Sequence, residues 1–260
     1  MEAVAADFSN DPSRRLRVDL ALCYRLVAHY GLTDQIYTHI SARVPGTEDR
    51  FLLNRLGPGF DEMTASDLVE VGLEAPPEEA LHEAAPGDIK AGRVNHAGHT
   101  IHSAVYMARP EVGCALHLHS RAGMAVAALE EGLLPLNQIS MQFHDRIAYH
   151  DYEGIVLDLD ERDRLIASLG GNNAMILRNH GLLTVGRSVA EAFTRAYYLE
   201  KACEIQMDAL AMGRPLRLPP PEVCEHAARQ YDRSYEGDAC DLEWAANRRT
   251  IDRVNPGYEG

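Results

Sequence analysis

The chain lacks several features that would have placed it quickly. It has no C-x-x-C pair, and Cys23, Cys114, Cys203, Cys224 and Cys240 are odd in number and widely scattered. That pattern argues against a disulfide framework and for reduced thiols in a cytoplasmic protein. Nowhere does an uninterrupted apolar run reach the roughly 18 residues that a membrane helix needs. The opening MEAVAADFSNDPSRR lacks the basic-then-apolar order of a signal peptide, so the expectation is a soluble chain with no membrane partner. Basic residues are also scarce: 25 Lys and Arg stand against 39 Asp and Glu, a net charge of −14. Such a balance argues against nucleic-acid binding, which relies on cationic side chains neutralising phosphates. It leaves room for an anionic small molecule held by a few local arginines.

What is present is ordinary for an enzyme. The 260 residues, 46% of them hydrophobic, suffice for one large domain or two small ones. After Asp11-Pro12, apolar residues at Leu16, Leu20, Cys23, Leu26, Val27 and Tyr30 recur at helical spacing, and Gly31 supplies a stop. Strand-like runs follow at His39–Val44, Phe51–Asn54 and Val69–Leu73, with Thr64–Asp67 able to cap a helical turn. The Pro-, Glu- and Ala-rich stretch Glu74–Asp88 reads as an exposed excursion. A helix over Gly98–Met107 should end before Arg109-Pro110. Further strands are expected at Cys114–Leu118, Ile155–Leu157, Met175–Leu177 and Leu182–Val185, with an alanine-rich helix near Ala122–Leu129. Ser188-Val-Ala-Glu191 opens a long helix that runs to about Met212. Strands interleaved with helices indicate a layered α/β domain, without fixing the strand order.

Two histidines in CALHLHS, His117 and His119, are separated by one residue, and His180 precedes Gly181 in ILRNHGLLTVG. On a strand, residues two apart share a face, so His117 and His119 project together as neighbouring metal ligands must. A third imidazole from elsewhere would complete a catalytic site with an open position. Histidines at strand ends also commonly hydrogen-bond backbone groups, and local spacing alone does not choose between these readings.

Read together and in order, RPEVGCALHLHS, GLLPLNQISM, YHDYEGIVLD, LRNHGLLTVGRSVAEAF and EKACEIQMDAL resemble the class II aldolase/adducin family, from about Arg17 to Leu210. The resemblance implies a three-layer α/β/α domain around a mainly antiparallel sheet, here residues 11–212. Residues 213–260 would form a C-terminal extension packed on the domain or on a neighbouring subunit. It also implies that His117, His119 and His180 bind one divalent ion per chain, Zn²⁺ first, with Mn²⁺ or Fe²⁺ as alternatives, since imidazoles suit several first-row ions. Homotetramers with sites between subunits are common in the family.

The sequence departs from the sugar-phosphate aldolases of that family in informative ways. Their acid/base glutamate lies four residues before a histidine that is itself fifteen before the H-x-H pair. Here that histidine is His102, and Gly98 stands at the glutamate position with no proton to exchange. The phosphate-binding turns are altered as well: Thr38-His39-Ile40-Ser41 keeps only the serine, and Asn54-Arg55-Leu56-Gly57 replaces a second turn. Ser41, Arg43 and Arg55 are therefore candidates to hold a carboxylate rather than a phosphate. The segment NHAGHTIHSAVYMARPEV is similar to the adducin-like branch, without the long basic tails of the cytoskeletal adducins. The expectation is a metal-dependent lyase acting by aldol cleavage or decarboxylation on a non-phosphorylated carbonyl or hydroxy-carboxylate. His99 or Tyr152, with His96 as another neighbour of Gly98, would carry the proton. A non-haem Fe(II) oxygenase and a non-catalytic scaffold are the competing readings.

Overall fold

The computed structural model describes residues 11–74, 81–82, 94–155 and 159–260. The first helix, α1 (Pro12–His29), starts where Asp11 accepts a hydrogen bond from the Ser13 amide at 2.9 Å and proline takes the first turn. It buries Leu20, Cys23, Leu26 and Val27. Gly31, at φ +71°, supplies the left-handed residue that ends it.

Strands β1 (His39–Arg43), β2 (Arg50–Asn54) and β3 (Leu68–Gly72) form an antiparallel meander, with a short 3-10 turn at Ala65–Asp67. Two-residue strands β4 (Leu81–His82) and β5 (Val94–Asn95) pair in parallel, and α2 (His96–Ala108) follows. Then come β6 (Cys114–Leu118), α3 (Arg121–Ala127), α4 (Gln138–Met141), β7 (Ile147–His150), α5 (Glu161–Leu169), β8 (Ala174–Leu177), β9 (Gly181–Gly186) and α6 (Val189–Ala211). The main sheet has seven strands in the order β3-β2-β1-β6-β9-β8-β7. Every pairing in it is antiparallel except that of β7 with β8.

Alternation along the central strands builds two cores. Cys114, Leu116 and Leu118 of β6 join Ile40 and Ala42 against α1 and α6. Ala115, with Phe51, Leu53, Met175 and Leu183, faces α2 and α5 on the other side. Helices α3 and α4 pack with α6 over β8 and β9. The result is an α/β/α sandwich around a mainly antiparallel sheet, as the resemblance implied.

The last segment forms α7 (Pro221–Glu236) and α8 (Ala239–Val254), and both rest on the chain's own domain. Ile251 and Tyr258 enter the core beside α1. The buried Arg25 guanidinium donates to the carbonyls of Met63 at 2.9 Å, Asn255 at 3.0 Å and Pro256 at 2.6 Å. The Ala65 and Ser66 amides donate to the carbonyls of Tyr258 and Gly260, each at 2.9 Å.

Two expectations fall largely outside the described residues: the excursion Glu74–Asp88, apart from Glu74 and the β4 pairing, and the strand at Ile155–Leu157, of which only Ile155 is described. β7 and α5 were missing from the sequence reading. Among the described residues, no helix is long and apolar enough to cross a membrane.

Candidate metal centre

His117 lies near the end of β6, between β1 and β9, and His119 follows two residues later as the chain turns into α3. The turn from β8 to β9 delivers His180, preceded by Asn179 at φ +56°. One ring nitrogen from each of the three histidines lies within 4.8 Å of the others. Gly181 is needed for close packing: a β-carbon there would strike the Leu118 carbonyl oxygen and sit 3.1 Å from His119 Cδ2.

The ring orientations are set from behind. His117 Nδ1 donates to the Leu182 carbonyl at 3.1 Å, and His119 Nδ1 donates to Asp34 Oδ2 at 2.9 Å. Each Nε2 is thereby left as a bare lone pair, yet the two Nε2 atoms lie 2.9 Å apart. Two acceptors at that distance with no hydrogen between them repel, and a cation held by both resolves the conflict. Burial keeps the His117 and His180 rings neutral, with their lone pairs available. The pKa of His117 lies well below 6.5, chiefly through desolvation and then through the neighbouring imidazoles, and that of His180 falls to about 4 for the same leading reason. This donor set fits a first-row divalent ion.

The family model for the class II aldolase and adducin N-terminal domain matches residues 18–207. The chain belongs to the class II aldolase and adducin family. A Caulobacter vibrioides protein named after the class 2 aldolases is 47% identical over 242 residues, covering 93% of this chain and 91% of that one. Mouse alpha-adducin is 44% identical over 197 residues, which span 75% of this chain but 26% of the adducin. Among solved structures, an aldolase II superfamily protein from Pseudomonas syringae superposes with a TM-score of 0.86 at 43% identity, covering 96% of this chain and 97% of that one. An L-fuculose 1-phosphate aldolase from Glaciozyma antarctica superposes with a TM-score of 0.79 at 26% identity, covering 98% and 94%.

Within this aldolase/adducin fold, the other expected site residues separate sharply. Tyr152, on the loop after β7, is 53% exposed, with its ring 6.1 Å from that of His180. It is at the site. His99 is not. Its Nε2 donates to the Gly72 carbonyl at 2.7 Å, its Nδ1 accepts from Arg162 at 3.3 Å, and its ring lies against Phe51. With both nitrogens engaged and desolvation lowering its pKa to about 4, it is a neutral core histidine rather than a proton carrier.

The three expected carboxylate holders are largely occupied too. Ser41 Oγ is buried between His102 Nδ1 and the Tyr106 hydroxyl. Arg43 donates to the carbonyls of Tyr106 at 2.7 Å, Glu48 at 2.9 Å, Val112 at 3.2 Å and Arg109 at 3.3 Å, so it ties β1 to the end of α2. Arg55 pairs with Asp67 at 2.5 Å, the residue whose carboxylate also caps Thr64. These arginines are braces of the fold. The sequence reading missed Asp34, a lone acid in GLTDQIY with no spacing rule to mark it, and His39, which pairs with His117 across β1 and β6.

Proposed function

We propose that the protein is a divalent-metal-dependent lyase that cleaves a carbon–carbon bond, by retro-aldol reaction or decarboxylation, in a non-phosphorylated carbonyl or hydroxy-carboxylate substrate. The observation that carries this reading is the pair of bare Nε2 atoms of His117 and His119, 2.9 Å apart and backed by fixed acceptors, with His180 completing the trio. The ion they would hold, Zn²⁺ first and Mn²⁺ or Fe²⁺ as alternatives, supplies Lewis acidity toward a substrate oxygen. The chain's own groups do the rest. Asp34 and the Leu182 carbonyl hold two ligand rings in one tautomer. Tyr152, the exposed hydroxyl beside His180, delivers or removes the proton that Gly98 cannot. Arg43 and Ser41 are committed inside the fold and are not free to cradle a phosphate, which favours a substrate without phosphate. In this reading the working form is a cytoplasmic homotetramer whose partners are small molecules, with no nucleic acid or membrane.

The relation to adducins supports a second reading, a scaffold that kept the histidines. One experiment separates the readings. Protein purified without chelator should carry about one divalent ion per chain and cleave 2-oxo or 2-hydroxy acids equally well with and without oxygen. Metal-free protein with unchanged assembly would establish the scaffold. Turnover that stops without O₂ would establish an iron oxygenase.

A further inference from the structure

Four buried polar side chains form a hydrogen-bonded row that ends beside the histidine trio. The Tyr106 hydroxyl lies 2.8 Å from Ser41 Oγ, Ser41 Oγ bonds to His102 Nδ1, and His102 Nε2 lies 2.7 Å from His39 Nδ1. None of the four is more than 2% exposed. The row has a direction. Among the described residues, Ser41 Oγ is the acceptor available to the Tyr106 hydroxyl, so Tyr106 donates to Ser41. Ser41 then donates to His102 Nδ1, His102 donates from Nε2 to His39 Nδ1, and the proton of the neutral His39 ring sits on Nε2. The reverse order would strand the buried Tyr106 hydrogen without an acceptor, which is costly.

The row engages His39 through Nδ1, so Nε2 is the ring nitrogen that the row does not use. The His39 ring lies 5.0 Å from that of His117 and is tilted 33° to it. Gly98 makes room for it, because a β-carbon there would sit 2.7 Å from His39 Cδ2 and 3.1 Å from Nε2. Thr38, which delivers the ring, adopts φ +72°, a backbone state that a β-branched residue rarely tolerates. Its Oγ1 is buried without a partner among the described residues. Strain and an unspent donor at one spot mark a position held for a ligand.

We propose that His39 binds substrate directly: its Nε2–H donates to the second oxygen of a 2-hydroxy or 2-oxo carboxylate whose other oxygens face His117, His119 and His180. The proposal rests on the metal-centre reading above. A neutral, prepositioned N–H needs no reorganisation and binds more strongly as its acceptor oxygen gains charge during bond cleavage. His39 thus selects substrates with two adjacent oxygens over simple carbonyls.

The test uses zinc-loaded full-length protein, metal analysis, and calorimetric titration with glycolate, with acetate as the control that lacks the 2-hydroxyl oxygen. In wild type, one ion per chain and tighter binding of glycolate than acetate are expected. His39→Phe should keep the ion, bind acetate as before and lose roughly 10- to 100-fold in glycolate affinity. His39→Gln, which restores an N–H donor, should recover part of that loss. Unchanged glycolate binding in both variants would overturn the proposal, as would loss of the ion in both, which would make His39 only a support for His117. The ¹⁵N spectrum of metal-free wild type gives a check that needs no variant: the His39 proton should be on Nε2, and a proton on Nδ1 overturns the assignment. A wild type that takes up no ion refutes the metal reading instead, and does so before any variant is made.

Discussion

Two groups of histidines occupy one neighbourhood and have opposite fates. His117, His119 and His180 gather their nitrogens toward a common point, and two of them turn Nδ1 to oxygen acceptors so that Nε2 stays bare. His99 and His102 spend both nitrogens inside the protein, on a carbonyl, an arginine, a serine and another imidazole. Burial does not separate the groups, since His117 is as enclosed as His102. What separates them is which nitrogen the surroundings leave free. His39 belongs to both, with one nitrogen spent in the row and one left over.

This contrast can be broken in steps of decreasing effect. His180→Ala should abolish metal uptake, measured as ions per chain, while circular dichroism shows the fold retained. Tyr152→Phe should leave the ion in place and lower kcat by roughly 100-fold. Asp34→Asn removes the carboxylate behind His119 and should weaken metal affinity by about 10-fold in a competition titration, with little change in stability because Asp34 is partly exposed.

The smallest effect concerns pH. His99 titrates near 6.5 when unfolded and at about 4 when folded, because burial disfavours its charged form. Below pH 6.5 the unfolded chain therefore takes up a proton that the folded chain refuses. The stability owed to neutral His99 is complete above pH 6.5 and is lost as the pH falls toward 4. His102, lowered to about 3 by the same desolvation, acts with the same sign. The urea midpoint of wild type should fall between pH 7 and pH 4.5, and His99→Gln should show a shallower fall. An equal slope in the variant would mean that His99 is not responsible.

Much of the fold was legible because one face of each element is apolar. The helical spacing of Leu20, Cys23 and Val27 marks α1, and Ser188 with Glu191 marks the start of α6, where Ser188 Oγ accepts from the Glu191 amide at 3.2 Å. β7 and α5 escaped because they are short and interrupted by charge, as in Glu161-Arg162-Asp163-Arg164. The H-x-H pair announced itself by strand period. The rest of the centre did not, because its logic is tertiary. Asp34 meets His119 across 85 positions, and His39 meets Gly98 only through the packing of α2 on β1. Arg43 read as a free cation because sequence does not reveal how many carbonyls will surround a guanidinium.

The backbone around the centre is itself informative. Gln35 at φ +51°, Thr38 at φ +72° and Asn179 at φ +56° are three of the four non-glycine residues in the left-handed region among the described residues. They flank His180 of the trio, Asp34 behind His119, and His39 beside His117. For protein engineering this sets a direction of trade. Glycine at position 38 or 179 would relax the chain and let these side chains wander, so a screen that selects for heat resistance alone would tend to collect such changes and return a sturdier protein that does less.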